Sequence, residues 1–265
     1  MSSTKYVNAD IKSDGYAVIT IQREPVNSMN MDVWIQLLST LDELESNPKV
    51  RGIIFHSGLS RPIFTAGNDL FELYAPKTSK ERYTQFWKVS NQFLARLYRS
   101  KLVTISAIRG ACPAGGCCLS MCCDYRVMSE DGYIGLNEVA LGISVPSIWI
   151  KLMSSIIGQG KADKILQFAV LLNTKQAKEI GLIDEVVKDQ EKVLSKSEEI
   201  MKQLLQTPDA GRQITKGCLR EEFASIWGDD ERLNKEAAQG FELISRPSTI
   251  KALDGVFARL QKSKI

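Results

Sequence analysis

Three short segments carry residue types suited to acid–base chemistry beside an anion. Cys112-Pro113-Ala114-Gly115-Gly116 lies between an apolar strand pattern, 102–108, and the apolar stretch Cys117 to Cys123. Its amides therefore fall at a helix N-terminus, where they are free donors and the helix dipole favours negative charge. Gly115 and Gly116 have no Cβ and let a ligand oxygen approach the backbone. That is half of an oxyanion hole, although an Ala-Gly-Gly turn on its own serves tight strand–helix packing equally well. Phe64-Thr65-Ala66-Gly67-Asn68-Asp69 is a second such turn, with Asp69 suited to open a helix, and its amides can face the first set. Glu138 follows Gly135-Leu136-Asn137 and precedes the apolar run Val139 to Ile143. Desolvation there favours the neutral acid and makes a general base that works near neutrality, while a capping or turn glutamate is the plainer alternative.

Other chemistries find less support. Cys117, Cys118, Cys122 and Cys123 share one apolar helix and cannot converge on an ion, so they read as small buried hydrophobes. His56 is the single histidine and sits in an apolar strand pattern, which leaves little room for a Ser-His-Asp mechanism. There is no Walker-type loop and no G-x-G-x-x-G.

The elements that must position these segments alternate. A strand at 16–22 is followed by a helix from Asn30 to Ser46 with Val33, Leu37, Leu41 and Leu44 on one face, and Asn47-Pro48 ends it. Strands at 51–56 and 102–108 flank a helix over about 83–99, short strands are expected at 125–128 and 133–136, and a helix at 148–157. From about Gly160 onward every periodic segment reads as helical, divided by turn signals at Gly181, Pro208, Gly228 and Pro247. The pattern predicts an α/β fold with a helical C-terminal part. A length of 265 residues, 44% hydrophobic and 25% charged, fits an ordinary globular chain, and a net charge of +3 gives no field that points to nucleic acid. Clustered cysteines suit a reducing compartment. No apolar stretch is long enough to span a bilayer and the first residues lack a signal peptide's apolar region, so a soluble protein is expected, with no membrane partner. The final Ser263-Lys264-Ile265 is one conservative change from a peroxisomal import signal, which makes a peroxisome-like organelle the first expectation and the mitochondrial matrix the alternative.

Taken together in this order and spacing, the segments resemble the crotonase (enoyl-CoA hydratase/isomerase) superfamily over nearly the whole chain. Residues 64–69 resemble its first oxyanion-hole segment, 110–124 its second, 136–143 its catalytic-acid segment, and 174–187 its characteristic helix and return to the core. The resemblance implies a spiral of ββα units over 1–200 holding the active site, with a C-terminal helical oligomerisation region over 201–265 that builds homotrimers or dimers of trimers. It implies an acyl-CoA substrate, with coenzyme A as part of the substrate and no separate cofactor or metal. It makes Glu138 the catalytic base and the amides of Asn68 and Gly115 the oxyanion donors, with Ala66, Gly67, Asp69 and Gly116 beside them. Arg23, Pro25, Val26 and Asn27 resemble the loop whose backbone contacts coenzyme A. Phe257 and Lys262, in the last helix, are further candidates, from the same chain or a neighbouring subunit.

One departure selects within the family. Its hydratases place a second glutamate where this chain has Cys118, and a buried thiol is a poor group for activating water. The segments around Cys112 and Glu138 are also similar to the mitochondrial-type Δ3,Δ2-enoyl-CoA isomerases. Isomerisation of 3-enoyl-CoA to 2-trans-enoyl-CoA, in oxidation of unsaturated fatty acids, is therefore the expected activity. A hydratase or other lyase, or a non-catalytic RNA-binding or scaffold member, is the alternative. Bulk at Gly115 is expected to block the thioester and the Asn68 side chain to tolerate change. Phe71, Leu73, Trp87, Pro146 and Trp149 are candidates for the acyl-tail wall.

Overall fold

Apolar runs too short for helices build the frame of the fold. The computed structural model describes residues 4–262, and side chains as far as Leu260. The chain opens with β1 (Val7–Ile11) and β2 (Tyr16–Ile21), then α1 (Met31–Ser46), whose N-cap Asn30 accepts from the Val33 amide. Next come β3 (Gly52–Ser57), the single turn α2 (Leu70–Leu73) and the long α3 (Lys80–Arg99). β4 (Val103–Ile108), β5 (Ala111–Pro113) and α4 (Gly115–Cys122) follow, then β6 (Tyr125–Ser129), β7 (Tyr133–Gly135), a 3-10 turn at Glu138–Leu141 and α5 (Ser147–Ile157). α6 (Gln159–Gln167), β8 (Leu172–Asn173), α7 (Thr174–Glu179) and β9 (Glu185–Val187) lead to four helices: α8 (Val193–Leu204), α9 (Asp209–Trp227), α10 (Asp230–Ile244) and α11 (Pro247–Lys262).

Two sheets share these strands. The larger runs β1-β2-β3-β4-β6-β9, parallel except for β1, and the smaller runs β5-β7-β8. Each ββα unit steps from one sheet to the other: β4 passes into β5 and β6 into β7, while the chain after β3 reaches the small sheet as a single bridge from Ile63 to Ala111. This is the spiral the resemblance implies. The predicted face of α1 is buried in full, with Val33, Leu37 and Leu41 inaccessible. The expectation that everything periodic after 160 is helical is corrected by β8 and β9. β9 is three half-buried residues at a sheet edge, too short to show a period. β1 goes unnoticed for a related reason, since four of its five residues are exposed.

Candidate active site

The small sheet lays the three chemistry-bearing segments side by side. The amides of Phe64 and Thr65 donate to the Ala111 carbonyl at 2.9 and 3.3 Å, and the Ala114 amide donates to Gly135 at 2.8 Å, one residue beyond the β5–β7 ladder. The first turn, the second turn and the approach to Glu138 are thereby fixed in register.

Within the first turn, Asn68 forms a parallel bridge with Met29. Its bonds are Met29 N–H to Gly67 O, 2.8 Å, and Asp69 N–H to Met29 O, 3.1 Å. That pairing turns the N–H of Asn68 itself away from Met29, and it meets no backbone acceptor among the described residues. In the second turn Ala114 adopts φ 51°, a left-handed backbone rarely held by a residue with a side chain, and α4 begins at Gly115. First-turn amides have no acceptor within their own helix, and the Gly115 N–H meets no other backbone acceptor among the described residues. Gly67, at φ 87°, brings the turns together: a Cβ there would lie 3.0 Å from the Ala114 Cβ and 3.4 Å from the Gly115 nitrogen.

The two adjacent glycines have different jobs. A Cβ on Gly115 would come 3.0 Å from the Asn68 Oδ1 and 3.2 Å from the Met29 Cε, whereas a Cβ on Gly116 would come 2.3 Å from the Thr65 Cγ2. Gly116 therefore packs turn against turn inside the core. Bulk at Gly115 strikes the Asn68 side chain first, so its expected effect is to displace the other donor. The Asn68 side chain is itself anchored, its Oδ1 accepting from the Trp34 Nε1 at 3.2 Å.

A cavity of about 750 Å³ opens beside these turns, its lining including Ala66, Asn68, Pro113, Ala114, Asn137 and Glu138. Glu138 is 6% exposed and opens the 3-10 turn that Gly142 closes at φ 74°. Burial raises its carboxyl from an ordinary value near 4.5 to about 7, and its Oε2 has no hydrogen-bond partner among the described residues. Other acids on the wall are engaged or wet. Asp69 is bound by Arg23 at 2.8 Å and caps α2 through the Phe71 amide, Glu236 is bound by Arg232 and Ser147, and Glu24 is exposed. Glu138 is thus the buried carboxylate on this wall left without a cation among the described residues. Cys118 is fully buried off the cavity, and its burial holds the thiol well above its ordinary value, so it stays protonated.

Arg23, Pro25 and Val26 line the cavity as expected, but Asn27 does not. Its amide is folded inward, donating to Ile21 O, Ser57 Oγ and Phe64 O at 2.9 to 3.0 Å, and its role is to pin the loop. Phe257 lines the cavity from the same chain, packed 5.2 Å from Phe71 and 5.0 Å from Tyr74. Lys262 ends α11, and its side chain lies outside the described residues. All five acyl-wall candidates, Phe71, Leu73, Trp87, Pro146 and Trp149, face the cavity. Local sequence does not reveal Trp34, the Arg23–Asp69 clamp, or the wall that α10 supplies through Glu236, Gly240 and Ile244. A glycine in the middle of α10 is the one signal that could have flagged it. Among the described residues no helix is long and apolar enough to cross a membrane, and no group of three or more His, Cys, Asp or Glu gathers to hold a metal ion.

The family model for enoyl-CoA hydratase/isomerase matches residues 12–226. The chain is 38% identical over 255 residues to the mouse (Mus musculus) protein named enoyl-CoA delta isomerase 1, mitochondrial, covering 94% of this chain and 85% of that one. It is 28% identical over 214 residues to a short-chain-enoyl-CoA hydratase of Clostridium acetobutylicum, covering 80% of each. Among solved structures, that of human mitochondrial delta3-delta2-enoyl-CoA isomerase superposes with a TM-score of 0.91 at 34% identity, covering 98% of this chain and all of the other.

Proposed function

This chain belongs to the enoyl-CoA hydratase/isomerase family, and we propose from that premise that it is a Δ3,Δ2-enoyl-CoA isomerase, converting 3-enoyl-CoA to 2-trans-enoyl-CoA. The observation that carries this reading is the solitude of Glu138: a buried carboxyl raised to about 7, with no cationic partner among the described residues and with Cys118 sealed in the core where a hydratase has its second glutamate. Water addition needs a base and an acid placed around a water molecule. Double-bond migration needs one base that returns the proton it takes.

The carboxylate of Glu138 removes a proton from C2 of the substrate, and the C–H electron pair forms a C1=C2 bond and pushes the carbonyl pair onto the thioester oxygen, giving a dienolate conjugated with the C3=C4 double bond. The amides of Asn68 and Gly115 stabilise that developing charge, the kind of donor whose loss costs about 3–4 kcal/mol of barrier. Glu138 then returns the proton to C4 and the double bond settles in conjugation between C2 and C3. The atoms balance without an added reactant, and the chemistry requires no cofactor beyond the coenzyme A of the substrate. Ala66, Asp69, Arg23, Pro25, Val26 and Phe257 stand on the wall where the thioester and coenzyme A would lie. Incubation with 3-enoyl-CoA, following the absorbance of the conjugated thioester, tests the reading. Hydration of 2-enoyl-CoA at a comparable rate would replace it with a hydratase.

Exposed apolar side chains on α9, Ile214 at 69% and Leu219 at 75%, support assembly into a homotrimer or a dimer of trimers, which light scattering measures. The mouse and human relatives carry mitochondrial in their names, which favours the mitochondrial matrix over the peroxisome-like organelle suggested by Ser263-Lys264-Ile265; those three residues lie outside the described ones.

A further inference from the structure

Gly240 stands in the interior of α10, where glycine is less favourable than alanine and where its φ is not positive. Neither a turn nor a cap explains it. Packing does: a Cβ at Gly240 would lie 2.3 Å from the hydroxyl oxygen of Tyr83 and 3.1 Å from that ring's Cε1 and Cζ. The helix has given up a side chain so that a tyrosine can stand against its backbone.

Tyr83 is held on its other sides as well. Its ring stacks on Trp87 with centroids 6.1 Å apart and planes 14° apart, and the Phe241 ring lies 6.0 Å away. Trp87 stacks in turn on Trp149 at 6.4 Å. Tyr83, Trp87, Trp149 and Gly240 all face the cavity, on wall supplied by α3, α5 and α10 and separate in the chain from the 23–28 loop and α11. The ring is held by Trp87, Phe241 and the α10 backbone, and it also borders the cavity. Beside Tyr83 on the same wall is Glu236, a carboxylate that an apolar chain end does not approach favourably.

We propose that Tyr83, seated against Gly240, is the stop that sets how long an acyl tail the pocket accepts beyond the isomerised double bond. The proposal rests on the isomerase reading and adds a substrate limit to it. Filling the glycine drives the ring into the tail's space. Removing the ring extends that space toward α10.

The test compares kcat/KM for 3-hexenoyl-, 3-decenoyl- and 3-hexadecenoyl-CoA in the full-length wild type, Gly240→Ala and Tyr83→Ala. Because each enzyme is judged by its ratio between substrates, loss of folded protein cancels, and Gly240→Ala gains helix propensity, so it decides the matter even if Tyr83→Ala folds poorly. Gly240→Ala is expected to lower the decenoyl-to-hexenoyl ratio about tenfold or more, the scale of one methylene in an apolar pocket, and Tyr83→Ala to raise the hexadecenoyl-to-hexenoyl ratio by a similar factor. Unchanged ratios in Gly240→Ala, from a wild type that isomerises, overturn the stop and leave the isomerase standing. A wild type that isomerises none of the three overturns the isomerase and the stop with it.

Discussion

Glu138 and Asp124 are both carboxylates drawn into the fold, and what meets them there differs. Asp124, at the end of α4, is met from three directions: Lys216 donates to its Oδ2 at 2.8 Å, the Thr104 amide donates to the same oxygen at 2.9 Å, and Arg220 lies 3.0 Å from Oδ1. Lys216 is itself 8% exposed, and burial lowers its ammonium below the usual lysine value while Asp124 pulls it back up. Glu138 is more deeply buried, at 6% exposure against 23% for the Asp124 side chain, and has no such partner among the described residues. Burial alone therefore does not mark a functional group. A buried charge that is fully met joins α9 to the sheet, and a buried charge left unmet beside a cavity is held ready to exchange a proton.

The comparison breaks first at Glu138. Glu138→Gln keeps the shape and removes the base, so turnover of 3-enoyl-CoA is expected to fall about 10³-fold with the circular dichroism spectrum unchanged. Since the base form is the active one and the carboxyl sits at about 7, kcat/KM of the wild type should fall about tenfold per pH unit below that value. A near-normal rate in the variant would remove Glu138 from the mechanism.

The same substitution sharpens the comparison thermodynamically. The folded-state pKa of Glu138 is raised from 4.5 to about 7, so the folded protein holds this proton more tightly than the unfolded chain does. Below about pH 4.5 both states are protonated and the group costs nothing. Between 4.5 and 7 the unfolded chain ionises first and stability is lost, until above 7 the whole cost is present, about 3 kcal/mol for this shift. Glu138→Gln should therefore be more stable than wild type at pH 8 by up to about 3 kcal/mol, and equal to it near pH 4, as read from denaturant midpoints. Equal stability at pH 8 would mean that the carboxylate is solvated after all.

Lys216→Met supplies the opposite sign. It strands the Asp124 carboxylate and the Leu102 carbonyl that Lys216 also binds, with Arg220 and partial exposure of Asp124 softening the loss. A loss of about 2 kcal/mol is expected, with kcat/KM per folded molecule unchanged. A matching loss of activity would tie the rear ion pairs to the site.

Those two regions were unequally legible in the sequence. Strands such as Gly52–Ser57 could be read because buried parallel strands are continuous apolar runs, and Glu138 because a lone acid in such company is conspicuous. The inward fold of Asn27 could not be read locally: its side-chain amide bonds Ile21, Ser57 and Phe64, partners 6 to 37 residues away. Gly115 and Gly116 are neighbours in sequence but about 100° apart around α4, so one meets Asn68 and the other Thr65. Asp124 gave no local sign of Lys216, which is 92 residues away. Pairing across such distances is written in the packing of helices on the sheet and has no period to read.

The smallest expected effect concerns how the oxyanion turn is held. Trp34 is fully buried on α1, its Nε1 donates to the Asn68 Oδ1 at 3.2 Å, and its ring lies 5.6 Å from Phe93. Trp34→Phe keeps most of the ring contact and removes the donor. A net hydrogen bond is worth about 1 kcal/mol, so if the bond serves only stability, denaturation shifts by that amount and kcat is untouched. If it holds the Asn68 amide on the thioester oxygen, the loss appears in kcat, about fivefold, because a donor aimed at the dienolate matters more in the transition state than in the bound substrate. We expect the second outcome, with KM little changed. The side chain of Asn68 accepts from Trp34 on one side while its own N–H is free on the other, and an amide that must keep its aim has more use for that anchor than a packing contact would.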